Sequence, residues 1–308
     1  VIRLGALSVD LDGSRHYRAI HGEPLPDGAA ARAISGAGFL PLAVDRAVRF
    51  AGAWGTPLTF FVVTEDLEDP ALVSSLSRAK AAGHALESHS RTHPYDLVSL
   101  PQARIDDEIG GSFDDLERVF GARPSGFRAP GFTLSGAVFD ALERAGACFD
   151  ASLLPSPPYA AIKLAALALH AARGRRSSSH PFAGAQLLGP REAHRPGRAP
   201  GARGARDLVE LPMAVTRWGR LPLAAPLLST ALAGSLRRGT EDLALLSVGL
   251  HALDFVERAE APGVPAFEPA LRAPLAARTA GLDALVRGSA RTWVTLAAAA
   301  AALAPTLR

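Results

Sequence analysis

The chain has 308 residues, 48% of them hydrophobic and 20% charged, with a single cysteine, Cys148. That balance describes a globular chain with room for one large α/β domain or two small ones. It excludes disorder, an internal disulfide framework and a cysteine-based zinc site. The net charge of +3 is concentrated, because residues 173–206 hold eight arginines and one glutamate and leave −4 on the rest; this is not the spread basic groove of a nucleic-acid-binding domain.

The stretch IRLGALSVDLD (2–12) alternates Leu4, Ala6, Ser8, Asp10 and Asp12 against Gly5, Leu7, Val9 and Leu11, which predicts a strand. Its early acidic residues do not fit a secretory signal, and with the single cysteine they predict a cytoplasmic protein. Residues i and i+2 of a strand point the same way, so Asp10 and Asp12 would lie side by side. They read either as a metal ligand beside a base or as an Asp-x-Asp-Gly turn. Residues 41–54 predict an amphipathic helix, and 56–67 a strand apolar on both faces, as in a parallel sheet. Residues 69–83 predict a helix capped by Asp69 and stopped by Gly83.

A third strand over 84–89 leads into ESHSRTH (87–93). If the chain turns into a helix here, His89 and His93 share one face and can hold one ion. Asp12 would complete a His2Asp set with room for water, the open coordination of a catalytic zinc-type site. The same residues also read as a solvated helix start, and His84 reads as structural. A helix over 100–121 ends at Gly121; 124–131 is strand and turn, 135–146 helix and 147–152 strand. Arg128 either orients a carboxylate or lies at the surface. The βα alternation implies a parallel sheet or barrel with its site at the carboxyl ends of the strands. Asp10, Asp12, His89, Arg128 and Asp150 all fall at or just after such ends.

Regularity is lost from about 155 to 206. PPYAAIKLAALALHAARGRR reads as one helix, and the basic Gly/Pro-rich stretch as a solvated insertion or an anion- or phospholipid-facing surface. Residues 207–219 predict strand and loop. Residues 242–255 predict a buried strand carrying His251, a satisfied core histidine or a general acid, and Asp254, which tunes that histidine or caps the next helix. Residues 270–288 predict a closing helix, and ARTWVTLAAAAAAL a last strand–helix piece. The apolar runs 221–236 and 293–304 fall short of the roughly 20 residues a bilayer requires.

In this order, LSVDLDG, GHALESHSRTH, GFRAPGF and LHALD resemble motifs one, two, three and five of the polysaccharide deacetylases (the NodB-homology domain, carbohydrate esterase family 4). TFFVV and ERVFGARPSGFRAP are similar too. The resemblance is close over 1–155 and 242–300 and poor between. It implies an α/β fold, a distorted (β/α) barrel of about seven parallel strands. It implies one catalytic domain over 1–308 with a variable, irregular basic insertion at about 156–240. The implied reaction is metal-dependent removal of an acetyl or formyl group from an amino sugar, lipid-linked or within a glycan.

By motif, Asp10 is the general base and His251 the general acid, while Arg128 orients Asp10. Asp12, His89 and His93 hold one divalent ion, zinc first, with cobalt, nickel or manganese as other candidates. A backbone N–H near Gly131 faces the oxyanion, and Asp150 and Asp254 are supporting candidates. Leu11 separates the two aspartates where the commonest motif has them adjacent, so their roles are interchangeable at this stage. Gly131 stands where an aromatic is usual. The fourth motif, an acid and a tryptophan, is not found; FDASLLP (149–155) or TRWG (216–219) could stand in. The apolar-basic stretches 160–176 and 221–238 suit the inner face of a membrane, or ordinary packing. The alternatives are an allantoinase-like hydrolase of non-sugar linear amides and an inactive carbohydrate-binding relative.

Overall fold

The computed structural model describes residues 3–24, 37–181 and 184–307. Eight strands form one parallel sheet: β1 (Leu4–Asp10), β2 (Leu58–Val62), β3 (Ala85–Ser88), β4 (Gly126–Phe127), β5 (Phe149–Asp150), β6 (Val209–Glu210), β7 (Leu245–His251) and β8 (Thr292–Trp293). The order is β6-β5-β4-β3-β2-β1-β7, with β8 added on β1 at Leu4 and Gly5. Among the described residues no strand pairing joins β6 to β7, so the barrel is open between those strands; just beyond β6 the Ala214 N–H donates to the Ser247 carbonyl of β7 at 2.7 Å.

Alternation sorts the strand side chains. Leu7, Val9, Leu58, Phe60 and Val62 face outward into a core with the helix Leu40–Trp54. Leu4, Ala6, Phe61, Phe149 and Leu245 face inward and meet the C-terminal helix Leu296–Leu303, which plugs the amino end of the barrel. Each such side chain, removed from water, stabilises by about 1.5–3 kcal/mol. With that end filled, the carboxyl ends are left for a site.

Most helices fall where the periodicity placed them. Asp69 caps the helix Pro70–Ala81 by accepting the Ala71 N–H, and Gly121 ends the helix Ser112–Phe120 in the left-handed region. Three departures matter. The helix over 100–121 is broken by a π-helical turn, Asp107–Gly111. The strand over 56–67 stops at Val62 and passes into a 3-10 turn, Thr64–Glu68. Residues 89–93 form an extended, bent loop rather than a helix, with Ser90 and His93 at φ of 68° and 62°.

The basic stretch is folded onto the body. Arg191 pairs with Asp242 at 2.8 Å, Arg206 with Asp140 at 2.7 Å and Arg195 with Asp207 at 3.2 Å. No helix among the described residues is long and apolar enough to cross a membrane.

Candidate active site

Asp10 ends β1, paired in register with His251 at the end of β7. Asp12 follows just beyond the strand. Asp10 is buried and accepts a 2.6 Å bond from Arg128 Nη1. Arg128, itself wholly buried, donates Nε–H to the Ala151 carbonyl and lies 4.2 Å from the centre of the Phe61 ring. The guanidinium is thus fixed at three points, and it fixes the carboxylate in turn. Removing one partner of such a buried pair costs about 3–5 kcal/mol, because the other charge is left uncompensated.

Asp12 lies against both histidines of the second motif. Its Oδ1 is 3.4 Å from His89 Nε2 and 3.0 Å from His93 Nε2. Ligand atoms sharing a tetrahedral ion at 2.0–2.2 Å stand about 3.4 Å apart. His89 Nδ1–H donates to the Arg128 carbonyl at 2.7 Å, which leaves Nε2 as a bare lone pair aimed at a carboxylate oxygen. In the neutral ring two acceptors then face each other, a contact that a metal ion or a proton on Nε2 satisfies. Asp12 Oδ1 and His93 Nε2 are buried and lack a hydrogen bond of acceptable angle among the described residues. The residues therefore fit a divalent metal.

The loop between the histidines is held from outside. Glu108, in the π-helical turn, accepts the Arg91 and Thr92 N–H groups at 3.1 and 2.9 Å and the Thr92 hydroxyl at 2.6 Å. Ser90 Oγ accepts the His93 N–H at 3.0 Å. These bonds stabilise the left-handed residues and turn both imidazoles toward Asp12, which a helix was expected to do.

Sequence reasoning missed His16. Its ring centre lies 4.3 Å from that of His93, and Asp12, His16 and His93 form a buried group whose ligand atoms lie within 4.8 Å. The Asp12–His16 spacing of four at a helix start was the available signal. His16 Nδ1 accepts the Gly13 N–H at 3.1 Å, so the neutral ring carries its proton on Nε2. His89 Nε2 lies 3.4 Å from Asp12 Oδ1, so His89 and His16 are the two candidates for a third donor beside Asp12 and His93.

Burial pushes the Asp12 carboxyl up, but His93 and His89 outweigh it and hold the group well below the usual carboxylate range. Burial lowers His93 and lowers His16 strongly. At His89 burial acts downward, but the bond to Asp12 and the charges of Asp10 and Asp12 raise the ring.

His251 faces the same space, its Nε2 lying 4.0 Å from Asp10 Oδ2 and 3.9 Å from Asp12 Oδ2. Asp254 accepts the His251 backbone N–H at 2.9 Å and so caps the turn Ala252–Phe255. Asp150 is opposite Glu210 in the β5–β6 register, and both are buried. Burial raises both carboxyls, and the Asp150 charge pushes Glu210 further up. FDASLLP therefore supplies a buried acid near Arg128, whereas Trp218 of TRWG is 75% exposed. Gly131 sits at φ 62°, a conformation that favours glycine, and an added Cβ would meet the Tyr95 ring at 3.1 Å. Its carbonyl accepts from Lys163 Nζ at 3.2 Å. His84 is structural, its Nδ1 accepting the Leu58 N–H at 2.9 Å.

Asp10, Asp12, His89, Gly131 and His251 open on one cavity of about 340 Å³. The helix Pro157–Ala172, within the insertion, walls it with Tyr159, Ile162 and Lys163. Burial brings Lys163 down to about 8.

Residues 43–149 match the polysaccharide deacetylase family. That segment carries His89, His93, Arg128 and Gly131; Asp10, Asp12 and His251 lie outside it. The fold is similar to that of an assigned polysaccharide deacetylase from Mycobacterium smegmatis, 16% identical over 99% of this chain and 91% of that one, with a TM-score of 0.60. It is similar also to Puue allantoinase, at 15% identity, 98% and 90% coverage and a TM-score of 0.58. A third likeness is to an assigned polysaccharide deacetylase from Pseudomonas aeruginosa PAO1, at 13%, 98% and 91%, with a TM-score of 0.56. No curated protein sequence matches the chain.

Proposed function

We propose, from the match of residues 43–149 to the polysaccharide deacetylase family, that the chain hydrolyses the N-acyl group, acetyl or formyl, of an amino sugar. The observation that carries this reading is the meeting of the Asp10–Arg128 pair and the His251 ring about Asp12 in one cavity. Asp12, His89 and His93 would hold one divalent ion, zinc by its preference for nitrogen and carboxylate donors. Such an ion, when bound, polarises the amide carbonyl and lowers the pKa of water.

The chain's own residues do the rest. Asp10, held by Arg128, takes the proton from the attacking water. The Gly131 N–H faces the oxygen on which charge develops. His251, at the mouth of the cavity, gives a proton to the departing nitrogen. Asp254 holds the turn that presents His251, and the Asp150–Glu210 pair supports the Arg128 side. We take the whole chain as one catalytic unit with a variable insertion at about 156–240.

The wall made by the helix Pro157–Ala172 suits a single small or terminal sugar better than the middle of a polymer. That helix exposes Ile162, Leu164 and Leu169 ahead of Arg173, Arg175 and Arg176, a pattern that fits peripheral contact with an anionic inner membrane face and a lipid-linked substrate.

The test is release of carboxylic acid from a panel of N-acylated amino sugars, with allantoin and other ureides beside it, with and without a chelator. Metal-dependent release from sugars supports the reading. Turnover of ureides alone moves the chain to the allantoinase-like alternative. No metal uptake and no turnover leave the inactive relative.

A further inference from the structure

A second cavity of about 300 Å³ adjoins the first, and the two share Tyr17, Ile20, Phe132, Tyr159, His251 and Glu268. They are two lobes of one cleft that meet at His251. Their linings differ in chemistry. The first lobe is also largely apolar, with Ile20, Ile162 and Leu167, but it holds Asp12 and His89 together with His21, Lys163 and Ser177, groups that donate and accept hydrogen bonds. The second holds no metal-ligand candidate; Asp254, Glu268 and His251 stand on its lining, and the rest of its wall is apolar, with Leu154, Met213 and Leu223. Its inner end lies at Gly249, inside the barrel, where an added Cβ would meet Met213 Cε at 2.4 Å and lie 3.7 Å from Arg128 Nη1.

We propose that the second lobe is an acyl-chain pocket and that the substrate is an amino sugar bearing an N-acyl group of several carbons, longer than acetyl. This rests on the reading of the chain as an N-acyl amino-sugar hydrolase and departs from it in the acyl group, which becomes longer than acetyl or formyl. The two halves of such a substrate match the two linings. The hydroxyl-rich amine part lies among the polar groups of the first lobe. The carbonyl sits at the junction beside His251, and the chain runs on into the apolar lobe. An acetyl methyl would fill little of that space, which measures about 300 Å³. The chemistry balances as ordinary hydrolysis. Water adds its oxygen to the carbonyl carbon, the C–N bond breaks, His251 returns a proton to nitrogen, and the products are a carboxylic acid and a free amine.

The test separates the pocket from the activity. Alkanoyl hydroxamates of two to eight carbons are titrated calorimetrically into the zinc-loaded full chain. In parallel, N-acyl glucosamines of the same lengths are offered as substrates. Ala224 and Ala270 line the second lobe and are only partly buried, so Ala224→Phe and Ala270→Phe shorten it from two different segments, and either serves if the other fails to fold.

Affinity should rise about fourfold per methylene over at least the first three added carbons. The octanoyl-to-acetyl ratio should fall at least tenfold in the variants. A flat or falling series in the wild type, or an unchanged slope in both variants, overturns the pocket. If affinity rises with length but no N-acyl glucosamine of any length is cleaved, the pocket stands and the amino-sugar reading falls. If N-acetylglucosamine is cleaved and longer chains are refused, the reading stands and the pocket falls.

Discussion

Asp10 and Asp12 occupy adjoining positions with different surroundings, and those surroundings set different expectations. Asp12 touches imidazole nitrogens, whereas Asp10 is tied to a guanidinium. Asp12→Ala and His89→Ala should each lose the bound divalent ion, read as metal content per chain against one ion in the wild type. Asp10→Asn should keep the ion and lose turnover by about 10²–10⁴-fold. A loss of metal in Asp10→Asn would exchange the roles of the two aspartates. The motif residues were legible because their types and order are unusual. His16, Glu108 and Glu210 were not, because a lone histidine or glutamate in sequence does not reveal what the fold sets beside it. His16 matters only through the His93 ring it packs on, and Glu210 only through the register that puts it opposite Asp150.

At the scale of elements, periodicity located the helices, but the loop 89–93 escaped it. Its shape depends on a glutamate in a later helical segment, and no local pattern in ESHSRTH announces left-handed Ser90 and His93. Glu108→Ala should therefore weaken metal affinity about 10–100-fold although Glu108 is not a ligand. Unchanged affinity by metal titration would mean that the loop holds its own shape. The insertion carries a second expectation. His194 is buried, its backbone paired with Glu210, and burial brings its ring down to about 4. A histidine kept neutral by the fold contributes stability above the unfolded value near 6.5, and that contribution is lost as pH falls toward 4. The loss should reach up to about 3 kcal/mol by pH 4. His194→Gln, which does not titrate there, should show a correspondingly shallower decline in denaturant unfolding between pH 7 and 4. Parallel curves would remove His194 as the cause.

For the molecule as a whole, the βα alternation was enough to predict a parallel sheet or barrel, because each strand–helix repeat leaves its own periodic trace, and the resemblance to the deacetylases chose the barrel. The sequence did not disclose that the barrel stays open between β6 and β7, since closure depends on strands of two residues that carry almost no pattern. The membrane reading is also tested at this scale. The full chain should float with anionic liposomes at low salt and be released as salt rises; failure to float at low salt ends that reading. The pairing of β1 along its full length with β7 has a further bearing, on how the chain is made. β1 leaves the ribosome before β7, with Ser8 and Asp10 among its buried residues, and the strand that pairs with it along its full length follows some 240 positions later. At about 5–20 residues per second, that is a wait of roughly 12–48 seconds. During synthesis the aspartates exist without His251, and β1, with β2 on one edge, leaves its other edge open to chaperones or misassociation. Slow codons or a scarce chaperone early in translation would then limit the yield of active protein more than any change in the finished fold.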